Sequence, residues 1–269
     1  MGTNASTDLF EDKPEVFVRE IYENALGQLR VEGLVSDLEA ILPQHSEIVS
    51  ILDIGSGYAP VTLELLRRRP YLNAHLVDPS QELLSRADQL RQTLGIDPSR
   101  VKFSVGNLEW VLSHRSNTQA NLILCHAVAN WVHNPMKFIG ELLDLCTDDS
   151  LLSLVVGASF GKVFRFAMQG NLDEALTITG RSGASVSSLL GEEKVQPLDP
   201  ETVQAFIGEA GFEFLLNSGV RVVADYVPRA SLEDPNKLKQ LQELENRLRH
   251  HPQFWKFGQL VHFIIRRGI

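Results

Sequence analysis

Residues 51–57, Ile-Leu-Asp-Ile-Gly-Ser-Gly, decide the fold class. They end a short apolar run (48–55) rich in branched residues, which is typical of a strand buried on both faces. Pro60 follows as the first residue of a predicted helix over 60–69. The glycines between them permit a tight turn and a close approach of the backbone to a ligand. A strand, a glycine turn and a helix in this order predict a parallel α/β sheet.

The same alternation continues along the chain. Further strands are predicted at 73–78, 101–106, 120–126 and 151–157, with intervening helices that include 80–95 (N-capped by Ser80) and 134–146. The later predicted elements are a helix over 199–211, a long strand over 212–227, a charged helix near 234–250 and a final strand over 259–267. The pattern predicts a Rossmann-like, seven-stranded, mostly parallel sheet with helices on both faces and an antiparallel C-terminal strand pair.

Strands and helices do not alternate in the N-terminal part of the chain or in a segment near its middle. We predict a flexible tail over 1–13 and a single domain over 14–269. That domain begins with helices at 14–45, divided at Gly27. It also contains a substrate-side insert at 158–198, where apolar residues are scattered and Gly and Ser are frequent.

Composition excludes several classes of protein. Hydrophobic residues make up 43% and charged residues 22%, which fits a globular chain and not a disordered one. No apolar run reaches the ~18–20 residues that span a bilayer. A net charge of −9 argues against a broadly basic nucleic-acid surface but leaves a local basic patch open. Cys125 and Cys146 lie in apolar stretches, so we expect no disulfide scaffold, no metal site and a cytoplasmic location.

Two acids distinguish between ligands. Asp53 precedes the glycines and Asp78 ends the second strand, whereas Pro60 occupies the place of the third glycine of dinucleotide-binding turns. S-adenosylmethionine has no phosphate; its ammonium suits Asp53, and its ribose hydroxyls suit Asp78. The turn therefore predicts this cofactor, bound at Gly55, Ser56 and Gly57. The alternatives are a nucleotide oxidoreductase and a ligand-free fold, in which the acids only cap a turn or open a helix.

The loop after the third predicted strand is a second candidate contact. In this fold it lies against the adenine, where Asn107 offers donor and acceptor atoms and Leu108 packs on the ring. Turn formation by Gly106-Asn107 is the alternative explanation. Pro79, which follows Asp78, joins the predicted cofactor contacts.

Three blocks of sequence carry a family resemblance. They are Ile21-Tyr22 with Gly27-Gln28-Leu29-Arg30, Leu122-Ile123-Leu124 with His126-Ala127-Val128 and Trp131-Val132, and Gly219-Val220-Arg221-Val222 with Asp225-Tyr226. With these blocks, the chain resembles class I S-adenosylmethionine-dependent methyltransferases, and among them the bacterial enzymes that methylate the carboxylate of 5-carboxymethoxyuridine in tRNA. The resemblance extends from about residue 16 to 265.

The resemblance implies roles for three residues. Arg30 would clasp the methionine carboxylate of the cofactor, His126 would line the pocket beneath the transferring methyl, and Arg221 would hold the acceptor carboxylate. Each residue also has an alternative explanation without a functional role. Arg30 could be a solvated helix arginine, His126 a hydrogen-bonded residue at a strand end, and Arg221 a strand arginine in a surface ion pair. Trp131 and Tyr226 could stack on a base or could simply pack.

Two departures fall on the substrate side. The insert carries Glu192 and Glu193 where the family has a lysine-rich stretch, and Gly157-Ala158-Ser159 replaces a tyrosine-asparagine type of segment. The acceptor therefore stays open between tRNA and a small carboxylate, and a non-catalytic cofactor-binding module is a further alternative. The candidate tRNA contacts are basic residues in two sets, either of which could also be a solvated face: Arg67, Arg68 and Arg69, and at the C-terminal end Arg247, Arg249, His250, His251, Lys256, Arg266 and Arg267. We expect no membrane partner, and the oligomeric state is open.

Overall fold

The computed structural model describes residues 14–42, 49–180, 185–188 and 191–268. The predicted tail at 1–13 lies outside these ranges. The strands are β1 (Val49–Ile54), β2 (Leu72–Asp78), β3 (Val101–Val105), β4 (Leu122–His126), β5 (Leu151–Gly157), β6 (Val186–Ser188), β7 (Gly191–Val195), β8 (Phe212–Val220) and β9 (Leu260–Arg267). The helices are α1 (Pro14–Ile21), α2 (Ala25–Ile41), α3 (Pro60–Arg68), α4 (Gln81–Thr93), α5 (Leu108–Ser113), α6 (Pro135–Leu143), α7 (Ser159–Met168), α8 (Leu172–Gly180), α9 (Pro200–Glu209), α10 (Arg229–Glu233) and α11 (Pro235–Leu248).

Seven of these strands form one sheet in the order β3-β2-β1-β4-β5-β9-β8. The five strands from β3 to β5 pair in parallel, and β9 pairs antiparallel with both β5 and β8. Apolar cores cover both faces, with Ile54 and Leu154 in one and Ile51 and Val155 in the other. The predicted Rossmann-like class is confirmed. The strand order reverses between β1 and β4, which is where such sheets bind ligands.

The break between the first two helices is not at Gly27, as predicted, but at Tyr22–Asn24. Asn24 caps α2 by accepting a hydrogen bond from Gly27 N at 2.9 Å. A side chain at Gly27 would collide with the backbone of Tyr22. The glycine therefore serves a close approach between α1 and α2, and the Asn side chain starts the second helix.

The long strand predicted over 212–227 was also wrong in extent, because β8 ends at Val220. Arg221 has a left-handed backbone with φ of 57°, and Ala224–Tyr226 forms a short 3₁₀ turn. Glu245 of α11 holds this corner, because its carboxylate accepts hydrogen bonds from the backbone N–H groups of Val222, Val223 and Ala224. The chain thus turns back over the carboxyl ends of the parallel strands.

The segment after β5 supplies α7, α8 and the β6–β7 pair. It is anchored at both ends, since Ser159 N donates to Leu198 O at 2.8 Å and Leu198 N donates to Gly157 O at 2.9 Å. Among the described residues, no helix is long and apolar enough to cross a membrane. Within the same ranges, no cluster of His, Cys, Asp and Glu side chains could hold a metal ion.

Candidate active site

A cavity of about 570 Å³ opens where the strand order reverses. Nine of the predicted site residues line it: Arg30, Gly55, Ser56, Gly57, Asp78, Pro79, Asn107, Leu108 and His126. Asp53 and Arg221 do not line this cavity. Arg221 instead borders a larger groove of about 830 Å³ that extends along α2 and α11. We take the smaller cavity as the site because the glycine turn and Asp78 converge on it.

The glycine turn is built for close approach. Gly55 and Gly57 have φ of 67° and 54°, a region that costs other residues strain. A Cβ at Gly55 would collide with the side chain of Val128. Ser56 Oγ is buried without a hydrogen-bond partner among the described residues. The turn therefore offers one unused polar atom to a ligand.

Asp78 is the acid that faces the cavity. Its Oδ2 accepts a hydrogen bond from Gly57 N at 2.7 Å and its Oδ1 accepts one from Ser80 N at 2.9 Å. Burial raises the pKa of Asp78 to about 6, against the lowering effect of these two N–H groups. Each oxygen keeps a lone pair for a further donor, so two vicinal hydroxyls would suit this carboxylate.

Asp53 is buried behind the turn. Its Oδ2 accepts a hydrogen bond from Thr62 Oγ1 at 2.5 Å, which ties β1 to α3. Burial, together with the charge of the nearby Asp78, raises the pKa of Asp53 to about 7, against the lowering effect of the Thr62 hydrogen bond. Asp53 thus connects a strand to a helix behind the turn and does not line the cavity.

Asn107 and Leu108, the predicted adenine contacts, both line the cavity. Asn107 Oδ1 caps α5 by accepting from Trp110 N at 3.0 Å, so the amide group is left as the donor toward the cavity. Leu108 is buried and presents an apolar wall.

Arg30 of α2 also lines the cavity. Its guanidinium lies 5.1 Å from the centre of the Tyr22 ring, and its Nε is buried with no partner among the described residues. Burial lowers the pKa of Arg30, and so does the charge of Arg221. A buried guanidinium without a carboxylate partner is an unsatisfied anion site.

A second cationic group follows β5. Lys162 of α7 lines the cavity, and burial followed by the charges of Arg165 and Arg221 lowers its pKa to about 7. Arg165 is buried, with its Nε unpartnered in the described chain. Arg221 Nε lies 2.9 Å from Asp225 Oδ2, although not in hydrogen-bond alignment. Two buried arginines, and a buried lysine whose charge titrates near neutral pH, thus lie around a single carboxylate, that of Asp225.

Tight packing holds α7 in place. Tyr226 Oη donates to Gly161 O at 2.8 Å, and Gln259 Nε2 donates to the same oxygen at 2.9 Å. A Cβ at Gly161 would collide with Gly258 O, so only glycine allows this contact. The contact fixes the first turns of α7 and hence the position of Lys162.

Comparison with known proteins agrees with the geometry. A family model described as a methyltransferase domain matches residues 45–173. The tRNA 5-carboxymethoxyuridine methyltransferase of Escherichia coli K12 is 28% identical over 259 residues, which covers 96% of this chain and 95% of that protein. The chain is an S-adenosylmethionine-dependent methyltransferase.

Solved structures show the same fold. The plantazolicin methyltransferase BpumL in complex with SAH is similar with a TM-score of 0.56 at 17% identity, over 99% of this chain and 95% of that one. The magnesium protoporphyrin IX methyltransferase of Synechocystis PCC 6803 with bound SAH has a TM-score of 0.61 at 14% identity, over 96% of each chain.

Several residues of the methyltransferase site were missed from the sequence. Lys162 and Arg165 belong to a segment predicted only as an insert. Asn130 was also missed: its side chain accepts from Gly157 N at 2.6 Å and donates to Gln196 O at 2.5 Å, which joins the end of β5 to the insert across the cavity. The spacing Lys162-x-x-Arg165 was the one available signal, since i and i+3 share a helix face.

Proposed function

We propose that this methyltransferase esterifies a carboxylate, and that its acceptor is the carboxymethoxy group of a modified wobble uridine in tRNA. The observation that carries the proposal is the buried cationic cluster of Lys162, Arg165 and Arg221 beside the cofactor cavity. Buried cations that outnumber their acids need an anionic ligand. The E. coli relative, whose name gives that substrate, is the second support.

The cavity residues fit the cofactor. Asp78 would accept the two ribose hydroxyls, Asn107 and Leu108 would contact the adenine, and Arg30 would bind the carboxylate of the amino-acid end. Ser56 Oγ and Arg30 Nε, both buried and unpartnered in the described chain, would gain hydrogen-bond partners from such a ligand. When bound, S-adenosylmethionine supplies an electrophilic methyl group on a sulfonium.

Methyl transfer to a carboxylate needs few catalytic groups from the protein. A carboxylate is already anionic at neutral pH, so no general base is required. Lys162 would hold one carboxylate oxygen at the cavity wall, with Arg165 and Arg221 behind it lending positive charge. The remaining tasks are to align the acceptor oxygen with the methyl group and to exclude water.

A small carboxylate acceptor is the second candidate, and the surface charges favour it. Most of the basic residues predicted to contact tRNA pair with acids: Arg67 and Arg68 with Glu64, Arg69 with Glu39, Arg247 with Glu243, Lys256 with Glu201, Arg266 with Glu213, and the buried Arg249 with Asp37. Paired charges release fewer counterions on phosphate binding, so the affinity for RNA should be modest.

The test uses methyl-labelled S-adenosylmethionine and tRNA that carries unesterified 5-carboxymethoxyuridine. Labelled methyl ester in the nucleoside digest supports the tRNA acceptor. No transfer to that tRNA, together with no gel shift at low or moderate salt, contradicts it and leaves the small carboxylate.

A further inference from the structure

A chain of buried hydrogen bonds extends from the cavity through the sheet. His126 Nε2 lies 2.8 Å from Ser153 Oγ, which lies 2.8 Å from His262 Nε2. His262 Nδ1 lies 2.8 Å from Asp37 Oδ2. Methyl transfer to a carboxylate uses none of these three partners, and all of them are buried.

The direction of each hydrogen bond follows from the carboxylate at the end of the chain. Asp37 Oδ2 also accepts from Ser218 Oγ at 2.5 Å and from Arg249 Nη2 at 2.6 Å. Although burial raises the pKa of Asp37, hydrogen bonds from histidines and the Arg249 charge hold it well below its usual range. Asp37 is therefore ionised and can only accept.

The remaining protons are then fixed one by one. His262 donates from Nδ1 to Asp37, and it stays neutral because burial lowers its pKa, so its Nε2 must accept. The hydrogen on that bond comes from the Ser153 hydroxyl. Since Ser153 has one hydrogen, its oxygen accepts from His126, which must carry its proton on Nε2.

The other nitrogen of His126 is left as a lone pair. His126 lines the cavity, and its Nδ1 makes no hydrogen bond within the described residues. Burial, His262 and Arg30 lower the pKa of His126 well below the ordinary value, so the ring is neutral. A neutral ring does not repel a cationic ligand.

We propose that Asp37, His262 and Ser153 are positioning residues, which hold His126 as the Nε2–H tautomer and present its Nδ1 lone pair to the ammonium group of the cofactor. The choice of the ammonium rests on the cofactor orientation proposed above, in which Asp78 binds the ribose and Arg30 the carboxylate. The tautomer itself does not depend on that orientation or on the acceptor.

The first experiment is ¹⁵N NMR of histidine-labelled, ligand-free protein. We expect the Nδ1 of His126 to show the shift of an unprotonated nitrogen. In Ser153→Ala the buried Nε2–H would lose its acceptor, so the proton should move to Nδ1, where water can reach it. His262→Phe should cause the same change. Without His262 Nε2 as its acceptor, the Ser153 hydroxyl can donate to His126 Nε2, which then cannot carry the proton. A proton on Nδ1 in the parent protein, or Nε2–H retained in both variants, overturns the proposal.

The second experiment separates positioning from a structural role. Ser153→Ala should weaken SAH binding about tenfold, because the proton that moves to His126 Nδ1 removes the acceptor for the charged ammonium group. The ligand 5′-methylthioadenosine lacks the ammonium and should bind unchanged. Ser50→Ala is the matched control, because Ser50 lies on β1 of the same sheet and its hydroxyl donates to Asn121 Oδ1 at 3.0 Å, away from the chain that ends at His126. An equal loss for both ligands assigns Ser153 to fold maintenance and contradicts the ammonium contact.

Discussion

Gly57 N donates a 2.7 Å hydrogen bond to Asp78 Oδ2, so the glycine turn after β1 is locked to the acid that ends β2. The turn and the acid belong to different strands, yet a single backbone N–H joins them. The bond fixes the carboxylate at the cavity wall before any ligand arrives. Preorganisation of this kind lowers the cost of binding.

Asp78→Ala should weaken SAH binding by about 1–3 kcal/mol, because it removes a charged acceptor of two hydroxyls. Calorimetric titration measures this change directly. Asp148→Ala is the control, since that aspartate is 95% exposed and does not line the cavity. Unchanged affinity in Asp78→Ala would show that the cofactor is placed wrongly.

The affinity for SAH should fall as the pH drops below about 6. Burial raises the pKa of Asp78 to about 6, so its carboxyl group becomes protonated in this window and loses acceptor capacity. The effect on stability has the opposite sign. A folded pKa above the unfolded value near 3.9 means that protonation favours the fold, so this group adds to the free energy of unfolding as the pH falls from above 6.

Calorimetry and thermal unfolding across this range check both signs. The pKa of Asp53 is raised to about 7, so Asp53 titrates in almost the same pH range as Asp78. The pH dependence is therefore measured in the Asp53→Asn background. An SAH affinity that stays constant down to about pH 5 in that background would contradict the role of Asp78.

Lys162→Met should lower methyl transfer about tenfold or more while SAH affinity changes less than twofold, because the charge meets the acceptor and not the cofactor. The stability of the free protein should not fall, since the change removes a buried amino group that has no ion-pair partner among the described residues and whose pKa burial lowers to about 7. Lys137→Met is the matched control, with a side chain that is 72% exposed on α6. Equal losses of transfer and of SAH affinity would place Lys162 at the cofactor instead.

Arg221→Ala should reduce stability by about 3–5 kcal/mol, because it leaves the buried Asp225 carboxylate without its ion-pair partner. The double variant Arg221→Met/Asp225→Leu should recover stability but not methyl transfer. Thermal unfolding and a transfer assay with each variant separate the two effects. Full recovery of transfer in the double variant would show that Arg221 supports only the fold.

Local sequence signals predicted the sheet and most of the residues that line the cavity. Ser80 caps α4 as expected, and the glycines adopt the positive φ that their position requires. Such features depend on neighbouring residues alone. The divided N-terminal helices were mispredicted because Gly27 was taken as a helix breaker, whereas it provides clearance for Tyr22.

The acceptor side depends on contacts that no local pattern encodes. Lys162 reaches the cavity because Gly161 packs against Gly258, far along the chain. Asp37 and His262 are 225 residues apart, and the sheet brings them together through β9. The early end of β8 is likewise set by Glu245, which draws three backbone N–H groups away from a continued strand.

The most direct measurement of the central claim is the chemical nature of the transferred methyl group. The protein is incubated with methyl-labelled S-adenosylmethionine and either tRNA or a library of small carboxylates, and the products are treated with mild alkali. A methyl ester releases its label as methanol, which we predict for the parent protein and expect to be much reduced for Lys162→Met. Label that enters the product and survives alkali would contradict carboxylate esterification.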